Sequence, residues 1–187
     1  MGTVFVDNLE PQSGTSLTLG ASGDTVKVAS GVTNNVGIGM ADQWRLTSDV
    51  TSDGDITSNL ERVDTTGFGQ LGTGMTESSG IFTFPSTGIY FVMVNAGFRG
   101  NSENSMDLAL RVTTDNSSYN TIALARDGQR NGTDTNAAAS CSTLIDVTDT
   151  SNVKVKFQSN SIASGSKIVG NTDQNITSFL FVRLGDT

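Results

Sequence analysis

Residues 79–96, SGIFTFPSTGIYFVMVNA, constrain the fold of this chain more than any other stretch. Phe82 and Phe84 alternate with a threonine, a turn follows at residues 85–88, and residues 89–94 are hydrophobic without a charge. This pattern predicts a hairpin that leads into a buried central strand. Because so many β-branched and aromatic side chains need cover on both faces, we expect the surrounding chain to form a sandwich around this strand.

Pro85 and Gly88 are the two residues that we expect to shape the turn. Proline fixes its own φ near −65°, and Gly88 stands where a positive φ, which glycine adopts without strain, would let the chain change direction. The alternative for Gly88 is an ordinary extended conformation, in which a larger side chain would be tolerated.

Composition extends the all-β prediction to the whole chain. Of the 187 residues, 35% are hydrophobic and only 16% charged, a mixture that suits short strands and tight turns better than helix surfaces. Counting from Trp44, about eight strands are separated by turns, including those predicted at residues 106–112, 121–125, 137–147, 153–157 and 177–184. We therefore predict a two-sheet antiparallel jelly-roll sandwich.

Charge, cysteine content and hydropathy exclude several function classes. The formal net charge is −8 and no long basic run is present, so nucleic-acid binding is not expected. No apolar run approaches the ~20 residues of a membrane-spanning helix, and no export signal is recognisable. Cys141 is the single cysteine and the chain has no histidine, which excludes an intrachain disulfide and a Cys–His nucleophile.

Two local motifs point towards ligand binding but do not match their templates. Asp49, Asp53 and Asp55 differ in spacing from a calcium-binding Asp-x-Asp-x-Asp-Gly loop, so we interpret them as an exposed acidic turn. Residues 67–72 formally read G-x-G-x-x-G, but no helical pattern follows, which indicates a glycine-rich loop. No metal and no cofactor are expected.

Residues 1–40 differ in character from residues 41–187. Their β-forming residues come in isolated pairs, such as Val26 with Val28, between turn-forming residues. Strands so short cannot bury a core by themselves. We therefore predict an attachment segment, either a threefold β-stalk formed with sister subunits or an arm docked on a larger partner. The alternative is a flexible polar leader.

Residues 80–92, GIFTFPSTGIYFV, resemble the G-x-F-x-x-P-x-x-G-x-Y-x-F signature of the complement C-one-q globular head, in the tumour-necrosis-factor-like superfamily. Val92 replaces the final aromatic residue of that signature. Residues 108–110, 144–155 and 178–181 resemble later strands of the same head in the same order. The resemblance covers residues 41–187 and implies a trimeric jelly-roll head.

The resemblance also implies where the subunits meet. In that superfamily, strands like residues 89–94 and 177–184 pack around the threefold axis, which makes Tyr90, Phe179 and Phe181 the expected interface residues. The alternative places each of them in the core of its own chain. A lone jelly roll with such apolar strands would expose a larger patch than monomers usually carry, so we predict a homotrimer.

Residues 6–31, VDNLEPQSGTSLTLGASGDTVKVASG, are similar to leader sequences of virion structural proteins from tailed phages. Such leaders attach a trimeric fibre or knob to the particle. Together the two resemblances imply a virion surface protein, a capsid decoration or fibre tip, made in the bacterial cytoplasm. Its expected partners are two further copies, other virion proteins that the N-terminal region contacts, and a host-surface carbohydrate.

Two other function classes are weighed against this one. A secreted cellular ligand or adhesin could carry the same head, but the chain has no collagen-like stalk and no recognisable export signal. A carbohydrate hydrolase would need two carboxylates about 5 to 10 Å apart in a cleft, whereas the acidic residues here stand mostly in turn-like contexts. The prediction is therefore that the protein is not an enzyme.

Overall fold

The computed structural model describes residues 37–102, 105–128 and 132–187, together with a few isolated positions before residue 37. The chain divides into two compact units, Met1–Asn34 and Asn35–Thr187. The predicted attachment segment, residues 1–40, lies largely outside the described residues. Met40, which the sequence assigns to that segment, begins the first strand of the head and is buried.

The described residues form twelve strands and no helix, in agreement with the all-β prediction. About eight strands were expected; the additional ones are two or three residues long and show no alternation that a sequence could reveal. No helix in this part of the chain is long and apolar enough to cross a membrane. The strands are β1 (Met40–Leu46), β2 (Gly54–Asp55), β3 (Leu60–Arg62), β4 (Thr76–Ser78), β5 (Ile81–Thr83), β6 (Gly88–Gly100), β7 (Asp107–Thr113), β8 (Asn120–Arg126), β9 (Thr135–Val147), β10 (Lys154–Asn160), β11 (Lys167–Ile168) and β12 (Ser178–Gly185).

Two antiparallel sheets form the predicted sandwich. In the first sheet the order is β9, β6, β12, β1, β3, and in the second it is β4, β5, β10, β7, β8, with β2 beside β10. β6 is an inner strand of the first sheet, next to the edge strand β9. β9 pairs with β6 along its whole length, while β12 and the short β11 share the other edge of β6.

The predicted hairpin between β5 and β6 is wrong. β5 pairs with β4 and β10 in the second sheet, whereas β6 belongs to the first. The turn at residues 85–87 therefore carries the chain from one sheet to the other. Phe84 and Tyr90, which flank this turn, meet across the core with ring centroids 4.6 Å apart. Both strands are apolar on the side that faces the core, so facing sheets bury them better than a shared sheet.

An aromatic cluster fills the space between the two sheets. Phe82 and Phe157 of the second sheet contact Phe179 and Phe181 of the first, with the closest pair of ring centroids, Phe157 and Phe179, 3.9 Å apart. Tyr90, Phe179 and Phe181 have 0% of their surface exposed in a single chain. Their predicted place at the threefold axis is therefore wrong, and the alternative of an intrachain core is correct, because a side chain without exposed surface cannot contact another subunit.

Gly88 begins β6 with a φ of 141°. A Cβ atom at this position would lie 2.4 Å from the carbonyl oxygen of Gly185 and 2.5 Å from Nε of Arg183. The positive φ agrees with the sequence-based expectation for Gly88, and the close approach of β12 adds a steric requirement that the sequence did not reveal. Pro85 lies at the start of the same turn.

Gly88→Val is expected to lower the free energy of unfolding by roughly 2 to 5 kcal/mol, because backbone strain and overpacking add up at this position. Urea denaturation of the variant and the parent protein measures the difference. Gly69→Val is the matched control, since a Cβ at Gly69 meets nothing within 4 Å. Equal free energies of unfolding for Gly88→Val and the parent protein would contradict the prediction, since β12 would then move aside without loss of stability.

The two ends of the head carry different parts of the chain. Met40 pairs with Arg183, so the start of β1 and the C-terminal end of β12 lie at the same end, which we call the base. The turns before β6, β8 and β10 lie at the base as well, because these strands start there. The opposite end is formed by the segments around residues 47–59 and 160–177.

The turns predicted at residues 115–118 and 149–152 are both present at the base. Hydrogen bonds from the backbone N–H of Ser118, the hydroxyl of Thr113 and the backbone N–H of Ser117 lower the pKa of Asp115 to about 2. The Asn116 N–H donates to the Asn152 carbonyl at 3.0 Å and joins the two turns. Because the pKa of Asp115 is lowered, this stabilisation is present at neutral pH and is lost as the pH falls from 3.8 towards about 2.

Candidate subunit interface

The side of the first sheet that points away from the second sheet is apolar. Its side chains alternate along β6 and β12 with the buried aromatic residues of the core. We call this surface the outer face. It consists of seven large apolar residues, of which two are exposed and five are partly buried: Leu71 and Leu144 are exposed, and Ile89, Phe91, Met93, Leu180 and Val182 are partly buried.

Five side chains form a continuous row across this surface. Each lies directly opposite the next on a neighbouring strand, so all five point to the same side. The strands are about 4.8 Å apart, so the row extends over roughly 19 Å. Leu144 and Leu71, at its two ends, are 60% and 49% exposed. The row runs from Leu144 through Phe91, Val182 and Ala41 to Leu71.

The residues predicted for the interface, Tyr90, Phe179 and Phe181, point into the core of their own chain, while their neighbours along β6 and β12 lie on the outer face. Tyr90 is flanked along β6 by Ile89 and Phe91, and Phe181 is flanked along β12 by Leu180 and Val182. Since side chains alternate with a period of two, a shift of one residue exchanges core and surface. Both sides of these strands are apolar, so periodicity alone could not choose between them.

An ion cluster around the buried Arg45 limits the outer face towards the end opposite the base. Arg45 has a side chain on the outer side of β1 but is only 1% exposed. Its guanidinium group donates to Glu61 at 3.0 Å, Asp64 at 2.7 Å and Thr65 at 2.7 Å, which lie in or follow β3. The charge is therefore covered and paired within one chain, and the apolar surface lies closer to the base.

β8 and β9 form one edge of the sandwich. β8 is the edge strand of the second sheet and β9 is the edge strand of the first. The two edges lie on the same side of the sandwich, where β8 and β9 contact each other. Ile122 and Leu124 on β8 are 40% and 39% exposed. β9 has neither a proline nor a charged residue between Thr135 and Ile145. Free edge strands normally carry such residues to prevent pairing with other chains, so this edge is expected to be covered in the assembled protein.

Cys141 lies half-buried on β9, and burial raises the pKa of its thiol to about 11. The thiolate is the reactive form, so at pH 7.5 the folded protein should react with iodoacetamide roughly 100-fold more slowly than an ordinary cysteine. Mass spectrometry of the alkylated protein measures the rate, and the protein unfolded in urea is the control. Equal rates in both states would contradict this prediction.

The acidic residues considered for calcium are each engaged within the chain. Asp49 accepts from Lys167 Nζ and Asp55 from Lys156 Nζ, both at 2.6 Å, while Asp53 accepts from the backbone N–H of Ile162 at 2.8 Å. No group of three or more carboxylate or cysteine side chains among the described residues is placed to hold a metal ion. These aspartates therefore form ion pairs and hydrogen bonds that hold loops in place, and they do not form a cluster of metal ligands.

The glycine-rich segment at residues 67–72 is a loop, as predicted, but it also contributes to the outer face. Leu71 forms two backbone hydrogen bonds with Ala41, at 3.1 and 2.9 Å, and so extends the first sheet beside β1. A Cβ at Gly72 would lie 2.3 Å from the carbonyl oxygen of Gly39, which explains a glycine directly after Leu71. Sequence reasoning missed this bridge because a single residue pair has no periodicity.

Solved structures with the same arrangement of strands exist at low sequence identity. Eiger TNF from S. frugiperda superposes with a TM-score of 0.61 at 13% identity, over 81% of this chain and 95% of that chain. A crystal structure of murine APRIL at pH 5.0 superposes with a TM-score of 0.59 at 12% identity, over 78% of this chain and 98% of that chain.

The head has the tumour-necrosis-factor-like jelly-roll fold. This confirms the fold that the motif at residues 80–92 implied. At such low identity the likeness concerns the fold alone. No protein-family model and no curated protein matches the sequence.

Proposed function

We propose that this chain is a non-enzymatic, homotrimeric surface protein of a tailed-phage particle, either a capsid decoration or a fibre tip. The segment that precedes β1 attaches it to other virion proteins, and the jelly-roll head is presented to the surroundings. The observation that carries the proposal is the outer face. Seven large apolar side chains on one side of a sheet are more than a monomer normally leaves in water.

A ring of three heads provides the cover that this surface requires. Each head lays its β8–β9 edge on the outer face of the next head. A contact between two different surfaces propagates around an axis and closes into a ring, whereas a two-fold pair would join identical surfaces. Ile122 and Leu124 supply apolar contacts from the edge, and the small side chains of β9 let the backbones approach. The resemblance to heads that pack around a threefold axis supports three as the number of subunits.

Sedimentation equilibrium of the full-length protein tests the assembly. The expected mass is three times that of the 19.5 kDa chain. A monomer mass at micromolar concentration would overturn the proposal, and a dimer mass would replace the ring with a two-fold contact.

The similarity of residues 6–31 to phage virion leaders supports the location on a particle. Mass spectrometry of purified particles, and electron microscopy with antibodies against the head, test the location. Absence of the protein from purified particles would overturn it.

A secreted cellular ligand is the second candidate function, because both superposed structures, Eiger TNF and murine APRIL, share this fold. The two candidates predict different gene neighbourhoods. Capsid or tail genes beside this gene favour the virion protein, whereas secretion genes favour the ligand. A host-surface carbohydrate is the target that we propose for the presented head in a virion.

A further inference from the structure

A cleft of about 420 Å³ opens between β3, the last strand of the first sheet, and β4, the last strand of the second. Six residues on its lining carry the argument below: Trp44, Arg62, Gln70, Thr73, Met75 and Glu77. The cleft lies on the edge of the sandwich opposite β8 and β9. None of the seven outer-face residues lines it.

A buried carboxylate holds three walls of this cleft in place. Asp42 is 1% exposed and accepts hydrogen bonds from the indole N–H of Trp44 at 2.9 Å and from the backbone N–H of Met75 at 2.7 Å. Arg62 donates to its two oxygens at 3.0 and 3.2 Å. A buried charge is tolerated only when it is paired and hydrogen-bonded, and such a network fixes the geometry of what surrounds it.

The wall formed by the loop before β4 depends on a glycine. A Cβ at Gly74 would lie 2.5 Å from Oδ2 of Asp42, so only glycine lets the loop approach the carboxylate this closely. The guanidinium carbon of Arg62 lies 4.8 Å from the centre of the Trp44 ring. The indole and the carboxylate together hold the guanidinium plane in one orientation at the cleft.

Several polar groups on the lining remain available to a ligand. Within the described residues, Nη1 of Arg62 has no hydrogen-bond partner, and Arg62 forms no ion pair with Glu77. Glu77 uses Oε1 to accept from the backbone N–H of Gly80 at 2.7 Å, which leaves Oε2. Gln70 donates from Nε2 to the Gly72 carbonyl at 2.8 Å, which leaves the amide oxygen.

We propose that this cleft binds a neutral saccharide of one or two sugar units. A fixed guanidinium donor and a carboxylate acceptor on one lining match sugar hydroxyls, each of which donates and accepts hydrogen bonds. Asp42 already neutralises Arg62, and Glu77 adds a negative charge, so acidic sugars are disfavoured. Trp44 is 8% exposed and offers little stacking surface, so hydrogen bonds dominate and dissociation constants are expected on the order of millimolar.

The experiment is saturation-transfer NMR on the full-length protein, with glucose, galactose and N-acetylglucosamine as neutral probes and N-acetylneuraminic acid as the acidic comparator. At least one neutral probe should bind saturably and more tightly than the acid. Glu77→Gln keeps the shape of the side chain but removes its charge, and should weaken binding by about tenfold or more. Asp173→Asn, an exposed carboxylate outside the cleft, should leave binding unchanged.

Saturation by none of the neutral probes would overturn the proposal, as would tighter binding of the acid or equal weakening by both variants. Thr73→Val tests the same lining without a change of charge and should also weaken binding. The proposal rests on the presented head of the proposed function, but its failure is distinguishable. If the protein is a trimer in particles but binds no sugar, only the proposal of a sugar-binding cleft is overturned. If the protein binds sugar but is absent from particles, only the proposed virion role is overturned.

Discussion

Leu144→Arg is expected to convert the trimer into monomers. Leu144 is the most exposed large apolar residue of the outer face, at 60%, so arginine at this position should leave the isolated head folded. In the ring, the same arginine would be buried without a partner at each of three contacts. At about 2 kcal/mol for each contact, the trimer loses roughly 6 kcal/mol, or about four powers of ten in its association constant. Sedimentation at micromolar concentration measures the change.

Gln158→Arg provides the matched control for this substitution. Gln158 lies on β10 in the second sheet, opposite Asp55, on the side that faces away from the core. Its replacement by arginine adds one positive charge, as Leu144→Arg does. The control variant should remain trimeric with the thermal stability of the parent protein. A trimer for Leu144→Arg would show that the subunits use a different surface, and a monomer for Gln158→Arg would show that charge alone separates them.

The fold could be predicted from the sequence because its strongest signals are local. Val153 to Phe157 and residues 106–112 alternate cleanly, and both appear in strands with the expected apolar side facing the core. In β7, however, Asp107 and Ala109 on the other side are buried as well, so this strand is not half-buried as predicted. The motif at residues 80–92 implied a jelly roll, and the strand order agrees. The pairing of β5 could not be predicted, because a turn of three residues fits a hairpin and a crossing between sheets equally well.

The candidate interface could be predicted only to the level of strands. β6 and β12 are apolar on both sides, so the sequence identified two strands with two apolar sides but not which of these sides faces the core. The cleft could not be predicted from the sequence at all. Asp42 reads as an ordinary polar residue in a strand, and its four hydrogen bonds come from residues up to 33 positions away in sequence. Such a site becomes visible only when the register of β1 and the path of the loop before β4 are known.

Deletion of residues 1–36 is expected to leave a folded, trimeric head that is not incorporated into phage particles. The deletion ends at residue 36 because Met40 is 3% exposed and begins β1, so a cut at residue 40 would damage the core. The outer face and the β8–β9 edge both lie beyond the deletion, so the ring keeps its contacts. The leader has only isolated apolar pairs and must gain its burial from another protein or from sister subunits.

Particles produced from a genome that carries the deletion, analysed by mass spectrometry, measure incorporation, and sedimentation of the purified head measures assembly. A full-length variant with Val26→Ser and Val28→Ser keeps the length of the leader and is expected to reduce incorporation, which separates an effect of sequence from one of length. An unfolded truncated protein would place the leader in the core of the head. A folded monomer would make the leader the trimerisation element, because the heads would then lack sufficient contact of their own. A truncated trimer that still enters particles would reverse the roles, with the head as the attachment element and the leader as the free end.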